Sequence, residues 1–159
     1  FAAEMSAETG LAVEAVASAQ LAVEGADIVT VTAASNGPVL ETAWIRPGAL
    51  VTNIAGRALP RDIYGHARIV VPDLVGPAHR ASGWDPFPMK LNGGLDPATI
   101  AVTLADLLRN PELHPRQQES EIVLYEQRGT FAWDGAMNRW LYKWASENSA
   151  GSPFHISAS

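Results

Sequence analysis

An α/β fold, a Rossmann-like parallel sheet with flanking helices, is what this 159-residue chain predicts. Three observations carry that expectation. Short runs rich in Val, Ile and Thr alternate with helical segments along the whole chain. The runs at 27–32 (DIVTVT) and 49–55 (ALVTNIA) are almost continuously β-prone, as in strands covered on both faces of a parallel sheet. Each then ends in small residues, Thr32-Ala33-Ala34-Ser35 after the first and Asn53-Ile54-Ala55-Gly56 after the second. Ligands of open α/β sheets sit beyond the carboxyl ends of the strands, where small residues let a flat cofactor lie against the backbone.

Taken in order, residues 1–9 read as the end of a helix, closed by Gly10. Residues 11–16 (LAVEAV) form a short strand candidate. Residues 18–24 are a helix ending at Gly25, and the strand at 27–32 follows. A polar turn and a short segment around Trp44 lead to the strand at 49–55, with a helical turn or short helix at 60–66 behind it. Residues 68–71 are another β-branched run, stopped by Pro72, and 74–82 are helical despite Pro77. Pro86, Pro88, Gly93, Gly94 and Pro97 make 83–97 a long loop, a length often given to function. Asp96 as cap and Pro97 at the first helical position predict a helix whose apolar face is Ile100, Leu104, Leu107 and Leu108. Asn110-Pro111 stops it. A strand at 121–126 precedes the longest helix, 130–148, with Met137, Trp140, Leu141 and Trp144 at i, i+3, i+4 and i+7. The division expected is a partial dinucleotide-binding domain over 1–149 and a flexible tail over 150–159.

Bulk composition narrows the function. With 47% hydrophobic and 18% charged residues the chain is of ordinary globular type. Its net charge of −6 and scattered Lys and Arg argue against nucleic acid as a partner. The absence of cysteine excludes disulfides, thiolate nucleophiles and Cys-ligated metals, and suits a cytoplasmic setting. No apolar run approaches the ~18 residues of a membrane span, and no signal peptide opens the chain. His66, His79, His114 and His155 show no ligand spacing, so no metal site is expected. Neither G-x-G-x-x-G nor a P-loop pattern is present, and Gly93-Gly94 lacks a strand–turn–helix context.

The stretch DIVTVTAAS, then PVL, Trp44, PGALV and NIAG, resembles the second half of the dinucleotide domain of the ornithine cyclodeaminase/μ-crystallin family. Further on, SEIVLYEQRGTFAWD resembles that family's penultimate strand and the start of its long C-terminal helix. The similarity runs in register from about Phe1 to about Ala145. It implies a nicotinamide-dependent enzyme acting on amino or imino acids, with NAD or NADP as cofactor, usually a homodimer. It also implies that the first strand, its Gly-rich turn and the substrate domain belong to a preceding segment or to a partner chain. The family's catalytic lysine and carboxylate-binding arginines fall in that half, so catalytic residues of this chain are left unassigned.

The resemblance directs attention to two strand ends. After the first two strands, Thr32, Ala33, Ala34, Ser35, Asn53, Ile54, Ala55 and Gly56 are the expected cofactor contacts, the Thr32–Ser35 turn mainly through backbone. Asn53 either meets the carboxamide edge of nicotinamide or fixes its own turn by hydrogen bonding. Gly56 either permits close approach of a ring or supplies a positive φ. Arg57 either anchors a carboxylate bidentately or is a solvated surface residue. After the last strand, Glu126 keeps an acid found in relatives, Gln127 replaces a small hydroxyl residue as a cofactor contact, and Arg128 replaces an aliphatic one. Arg128 is either a substrate-binding cation or a salt-bridge partner of Glu126 or Asp134. Many family members place an aspartate shortly after N-x-x-G; here that position is Ala58, and the next carboxylate is Asp62. Alanine cannot accept a proton, which sets ornithine cyclodeamination in the usual manner aside. The Trp133, Trp140 and Trp144 set is read as helix packing rather than a cofactor box, and a partner chain is one candidate to cover it.

Three readings follow. One is part of an NAD(P)-dependent amino or imino acid oxidoreductase, of imine reductase or amino acid dehydrogenase type. Another is a non-catalytic nucleotide- or ligand-binding protein of the μ-crystallin type. The last is one subunit of a two-chain enzyme.

Overall fold

Five short β-rich segments pair side by side, all parallel, in the computed structural model, which describes residues 1–54, 58–72, 100–127 and 131–152. They are β1 (Ile28–Val31), β2 (Leu50–Asn53), β3 (Ala67–Val71), β4 (Ile100–Thr103) and β5 (Ile122–Glu126), in the order β1-β2-β5-β3-β4. The last strand in sequence therefore lies in the middle of the sheet. Burial follows position: β5 and β3 bury successive residues, whereas β1 alternates, burying Val29 and Val31 while Ile28 stays 64% exposed. The expectation of a strand covered on both faces thus fails for β1, which stands at the edge of the sheet.

Helices accompany the strands along the described residues. They are α1 (Ala2–Thr9), α2 (Ala19–Val23), α3 (Ile63–His66), α4 (Leu104–Arg109) and α5 (Phe131–Glu147), with a 3₁₀ turn at Thr42–Trp44. Gly10 closes α1 in the left-handed region, and the Ser18 hydroxyl caps α2 by accepting from the Leu21 N–H at 3.2 Å. The covered face of the sheet holds Val29, Val51, Ile69 and Leu124, and Ala49, Leu59, Ile63 and Tyr64 pack against them. Among the described residues no helix is long and apolar enough to cross a membrane.

Two expectations are corrected. Residues 11–16 form no strand: Leu11 and Val16 are exposed, and the segment pairs with nothing in the sheet. Residues 100–103 are strand β4 rather than helix, and the helix starts at Leu104. Thr103 is its cap: the Asp106 N–H donates to the Thr103 hydroxyl at 3.0 Å, and that hydroxyl donates to the Asp106 carboxylate at 2.6 Å. The β-branched run Ile100-Ala-Val-Thr103 pairs beside β3, and pairing outweighs the helical spacing of its apolar residues. The expected helix at 74–82, the loop at 83–97 and the Asp96-Pro97 cap lie outside the described residues.

The chain divides into two compact units, Phe1–Arg128 and Gly129–Ser159. The sheet belongs to the first. In the second, α5 carries Met137, Trp140, Leu141 and Trp144 in one stripe, all exposed.

At the amino ends of the strands, a loop locks β2 in place. Gly48 donates its N–H to the Ser120 carbonyl at 2.9 Å, and its own carbonyl accepts from Arg116 at 2.5 Å. The backbone N–H groups of Gln117 and then Gln118 hold the Glu121 carboxylate below its ordinary pKa. Gly48 has φ +79°, and a Cβ there would lie 2.7 Å from the Glu119 carbonyl oxygen. Gly48→Ala is therefore expected to destabilise the protein by about 2 kcal/mol or more in urea unfolding. A change within about 0.5 kcal/mol would mean that this contact is not formed.

Candidate functional site

The register of the sheet brings the predicted strand ends to one level. Val31, Asn53 and Glu126 are aligned as neighbours on β1, β2 and β5. The next residues, Thr32, Ile54 and Gln127, form a rim just beyond the ladder. Two hydrogen bonds fix it: the Ile54 N–H donates to the Val31 carbonyl at 3.0 Å, and the Gln127 N–H to the Asn53 carbonyl at 2.9 Å. Thr32, Ala33, Ala34 and Ile54 are exposed there, with Ser35 and Gln127 half-buried. The Ser35 hydroxyl closes its own turn, donating to the Gly37 carbonyl at 2.6 Å and accepting from the Gly37 N–H at 3.2 Å. The loops after β1 and β2 are tied together, because the Val39 N–H donates to the Ala58 carbonyl at 2.9 Å. Leu40, Ala58 and Leu59 are buried where these loops meet.

Directly behind the rim lies a polar cluster. Asn53 is 0% and Glu126 2% exposed. Asn53 Nδ2 donates to both oxygens of the Glu126 carboxylate, at 3.1 Å to Oε1 and 2.9 Å to Oε2. The Tyr64 hydroxyl of α3 donates to Oε2 at 3.0 Å. A buried carboxylate is tolerated only when donors surround it, and these three contacts join β2, β5 and α3 at one point. Asn53, expected either to meet the nicotinamide or to fix its own turn, directs its Nδ2 to a partner 73 residues away. Glu126 was marked in the sequence only as an acid at a strand end. Its part as a hub had no local signal, since its partners come from distant segments.

The remaining predicted residues sort clearly. Ala58, in the place of the family's aspartate, is fully buried, and Asp62 is exposed at the start of α3. Neither supplies a carboxylate to the rim. Ala55, Gly56, Arg57 and Arg128 lie outside the described residues, as do His79 and the side chain of Trp133. Among the described residues no group of three or more His, Asp or Glu is placed to hold a metal. One row inside the rim, Thr52 and Thr30 hydroxyls share a 3.0 Å hydrogen bond. Beside Thr52 in the register, the buried Tyr125 hydroxyl has no hydrogen-bond partner among the described residues, and burial pushes its pKa up. Among the described residues the rim is neutral, with Thr32, Ala33, Ala34, Ile54 and Gln127 along it, an edge suited to a planar group carrying hydrogen-bonding edges.

Comparison with known proteins fits this edge into a wider picture. The family described as ornithine cyclodeaminase/mu-crystallin matches residues 1–149. No curated protein sequence matches the chain. Among solved structures, the chain is similar to Δ1-pyrroline-2-carboxylate reductase of Thermococcus litoralis in complex with NADH and L-proline. That likeness has 28% identity and a TM-score of 0.78, covering 96% of this chain and 48% of that one. A probable ornithine cyclodeaminase from Bordetella pertussis Tohama I is 26% identical, with a TM-score of 0.71, covering 96% and 49%. An archaeal alanine dehydrogenase dimer with bound NAD shares the fold at 21% identity and a TM-score of 0.71, covering 97% and 48%. The chain spans about half the length of each of these structures.

Removing one donor from the cluster tests its weight. Tyr64→Phe is expected to lower stability by about 1–3 kcal/mol in urea unfolding, because a buried carboxylate oxygen loses a donor. An unchanged midpoint would show that the hydroxyl does not bond Glu126.

Proposed function

The chain belongs to the ornithine cyclodeaminase/mu-crystallin family, and we propose that it forms the nicotinamide-holding part of an NAD(P)-dependent amino or imino acid oxidoreductase. The observation that carries this reading is the level rim of Thr32, Ile54 and Gln127 over three adjacent parallel strands. When bound, the reduced cofactor supplies a hydride to the α-carbon of an imino acid while a proton reaches the nitrogen. This chain's share is binding and orientation. The Thr32–Ser35 turn and Ile54 present small, exposed surface and backbone groups to a flat ring, and Gln127 adds a side-chain amide. Asn53 serves from behind, keeping the rim in register. Ala55 and Gly56, next in the sequence after Ile54, are assigned with it to the cofactor, and Arg57 and Arg128 are the cations we assign to the substrate carboxylate.

Among the described residues the rim carries no carboxylate or histidine, and we assign the proton to residues of the family's other half. The half of the protein that supplies them is either a preceding segment or a partner chain, within a homodimer. The similar structures carry NADH and L-proline in one case and NAD in another, which supports a nicotinamide cofactor and a small amino or imino acid. A nicotinamide-dependent activity of this kind would draw on the cytoplasmic cofactor pool.

A second reading is favoured by Ala58, which puts a buried methyl where many family members carry an aspartate. On that reading the protein binds the nucleotide without turning substrate over. One experiment separates the two. The intact protein, its mass and chain composition established first, is supplied with NADH or NADPH, α-keto acids and amines, and absorbance at the reduced-nicotinamide band is followed. Oxidation of the cofactor is the expected result. Tight nucleotide binding with no oxidation supports the second reading, and absence of both binding and oxidation overturns both.

A further inference from the structure

We propose that Asn36 is a site of spontaneous modification: its side-chain amide is lost through attack by the Gly37 nitrogen, and the carboxylate that results weakens dinucleotide binding at the rim. The chemistry stands on the turn alone, whereas the effect on binding rests on the rim being a cofactor site. Asparagine is a thermolabile residue, and this route of loss has three requirements. The side chain must be exposed to water, and the next residue must be small enough for its nitrogen to reach Cγ. That nitrogen must also be free of the regular backbone ladders. Asn36 meets all three. It is exposed in the loop after β1, directly following the Thr32–Ser35 turn. Gly37 comes next, with no atom of the described residues within 4 Å of the place a Cβ would take. Its N–H donates to the Ser35 hydroxyl at 3.2 Å, a long bond to a rotatable group rather than to a strand carbonyl. The backbone does not demand glycine here either, since Gly37 lies outside the left-handed range that Gly48 occupies.

The reaction balances with water alone. The Gly37 nitrogen gives its proton to solvent and bonds to Asn36 Cγ. The Cγ–Nδ2 bond breaks, and Nδ2 leaves as ammonia with a proton taken back from solvent. Water then opens the five-membered imide at one of its two carbonyls. Opening at Cγ gives aspartate, and opening at the main-chain carbonyl of residue 36 gives isoaspartate, in which the chain runs through the former side chain. Either product puts a negative charge into residues 32–40, a segment that has no charged side chain. The other described asparagines lack the combination. Asn53 is 0% exposed, and the Ile54 N–H after it donates to the Val31 carbonyl at 3.0 Å. Asn110 precedes Pro111, which has no N–H. Asn138 lies in α5, where helical bonding holds the next N–H on a carbonyl one turn back. Asn148 precedes Ser149 rather than glycine, and its Nδ2 donates to the Trp144 carbonyl at 2.8 Å. Asn92-Gly93 repeats the dipeptide and lies outside the described residues.

The test ages the intact protein in neutral buffer below its unfolding temperature and compares wild type, Gly37→Ala and Asn36→Asp. Alanine fits at residue 37 without strain, because neither φ nor a described neighbour opposes a Cβ. Peptide mapping by mass spectrometry should show the wild-type Asn36 peptide gaining about 1 Da and separating into two isomers. In Gly37→Ala the gain should be about tenfold slower, because a Cβ narrows the backbone freedom of the attacking residue. NADH affinity, measured by calorimetry, should fall about threefold in aged wild type and in fresh Asn36→Asp, since the added charge repels an anionic dinucleotide. Aged Gly37→Ala should keep its affinity. An Asn36 peptide of unchanged mass, under conditions that convert the same segment in urea-unfolded protein, overturns the proposal. Conversion of Gly37→Ala at the wild-type rate overturns it as well. Conversion of Asn36 with NADH affinity unchanged overturns the effect on binding. Fresh wild type that binds no NADH overturns the cofactor reading of the rim, and the mass measurement then decides the chemistry by itself.

Discussion

A carboxylate shut away from water behind the ends of three parallel strands is the constraint on which the site depends. Glu126 at 2% exposure is tolerable only with donors on its oxygens, and Asn53 and Tyr64 provide them. Those donors come from β2 and α3, so satisfying one group draws three segments together. The arrangement does more than close a gap in the core. An apolar trio of similar volume would also pack, but it would not choose an orientation for Asn53. Polar clusters of this kind trade some stability for a unique arrangement.

The position of β5 makes this possible. Because β5 inserts between β2 and β3, the acid that ends it stands beside the amide that ends β2. Val31 and Val71 occupy the neighbouring strand ends on the same covered face, so the polar pair is flanked by apolar side chains. The rim in front of them is free of described charge. Among the described residues this edge of the sheet is shaped and neutral.

How much of this could be read in the sequence depends on distance along the chain. The strands at Ile28–Val31, Leu50–Asn53 and Ile122–Glu126 announce themselves as β-branched runs, and Gly10 and Ser18 mark helix ends by their own local chemistry. Thr32, Ile54 and Gln127 were legible as strand-end residues for the same reason. The strand at Ile100–Thr103 was hidden, because Ile100, Leu104, Leu107 and Leu108 also fit a helical face and Asp96-Pro97 looks like its start. Only pairing with β3 decides between the two. Residues 11–16 err the other way, a β-prone run for which the sheet has no place. Asn53 and Glu126 are 73 residues apart, and no periodicity or motif links them. Their meeting is a product of strand order, which is non-local by nature.

The central claim, that the rim over β1, β2 and β5 receives the nicotinamide end of a dinucleotide, is open to one direct measurement. Backbone hydrogen exchange of the intact protein can be compared with and without saturating NADH. Peptides covering Thr32–Ser35, Ile54 and Gln127 should slow together on binding, while those covering α1, α2 and the Arg116–Glu121 loop stay unchanged. Protection confined to other segments, with these three peptides exchanging as in the free protein, would contradict it.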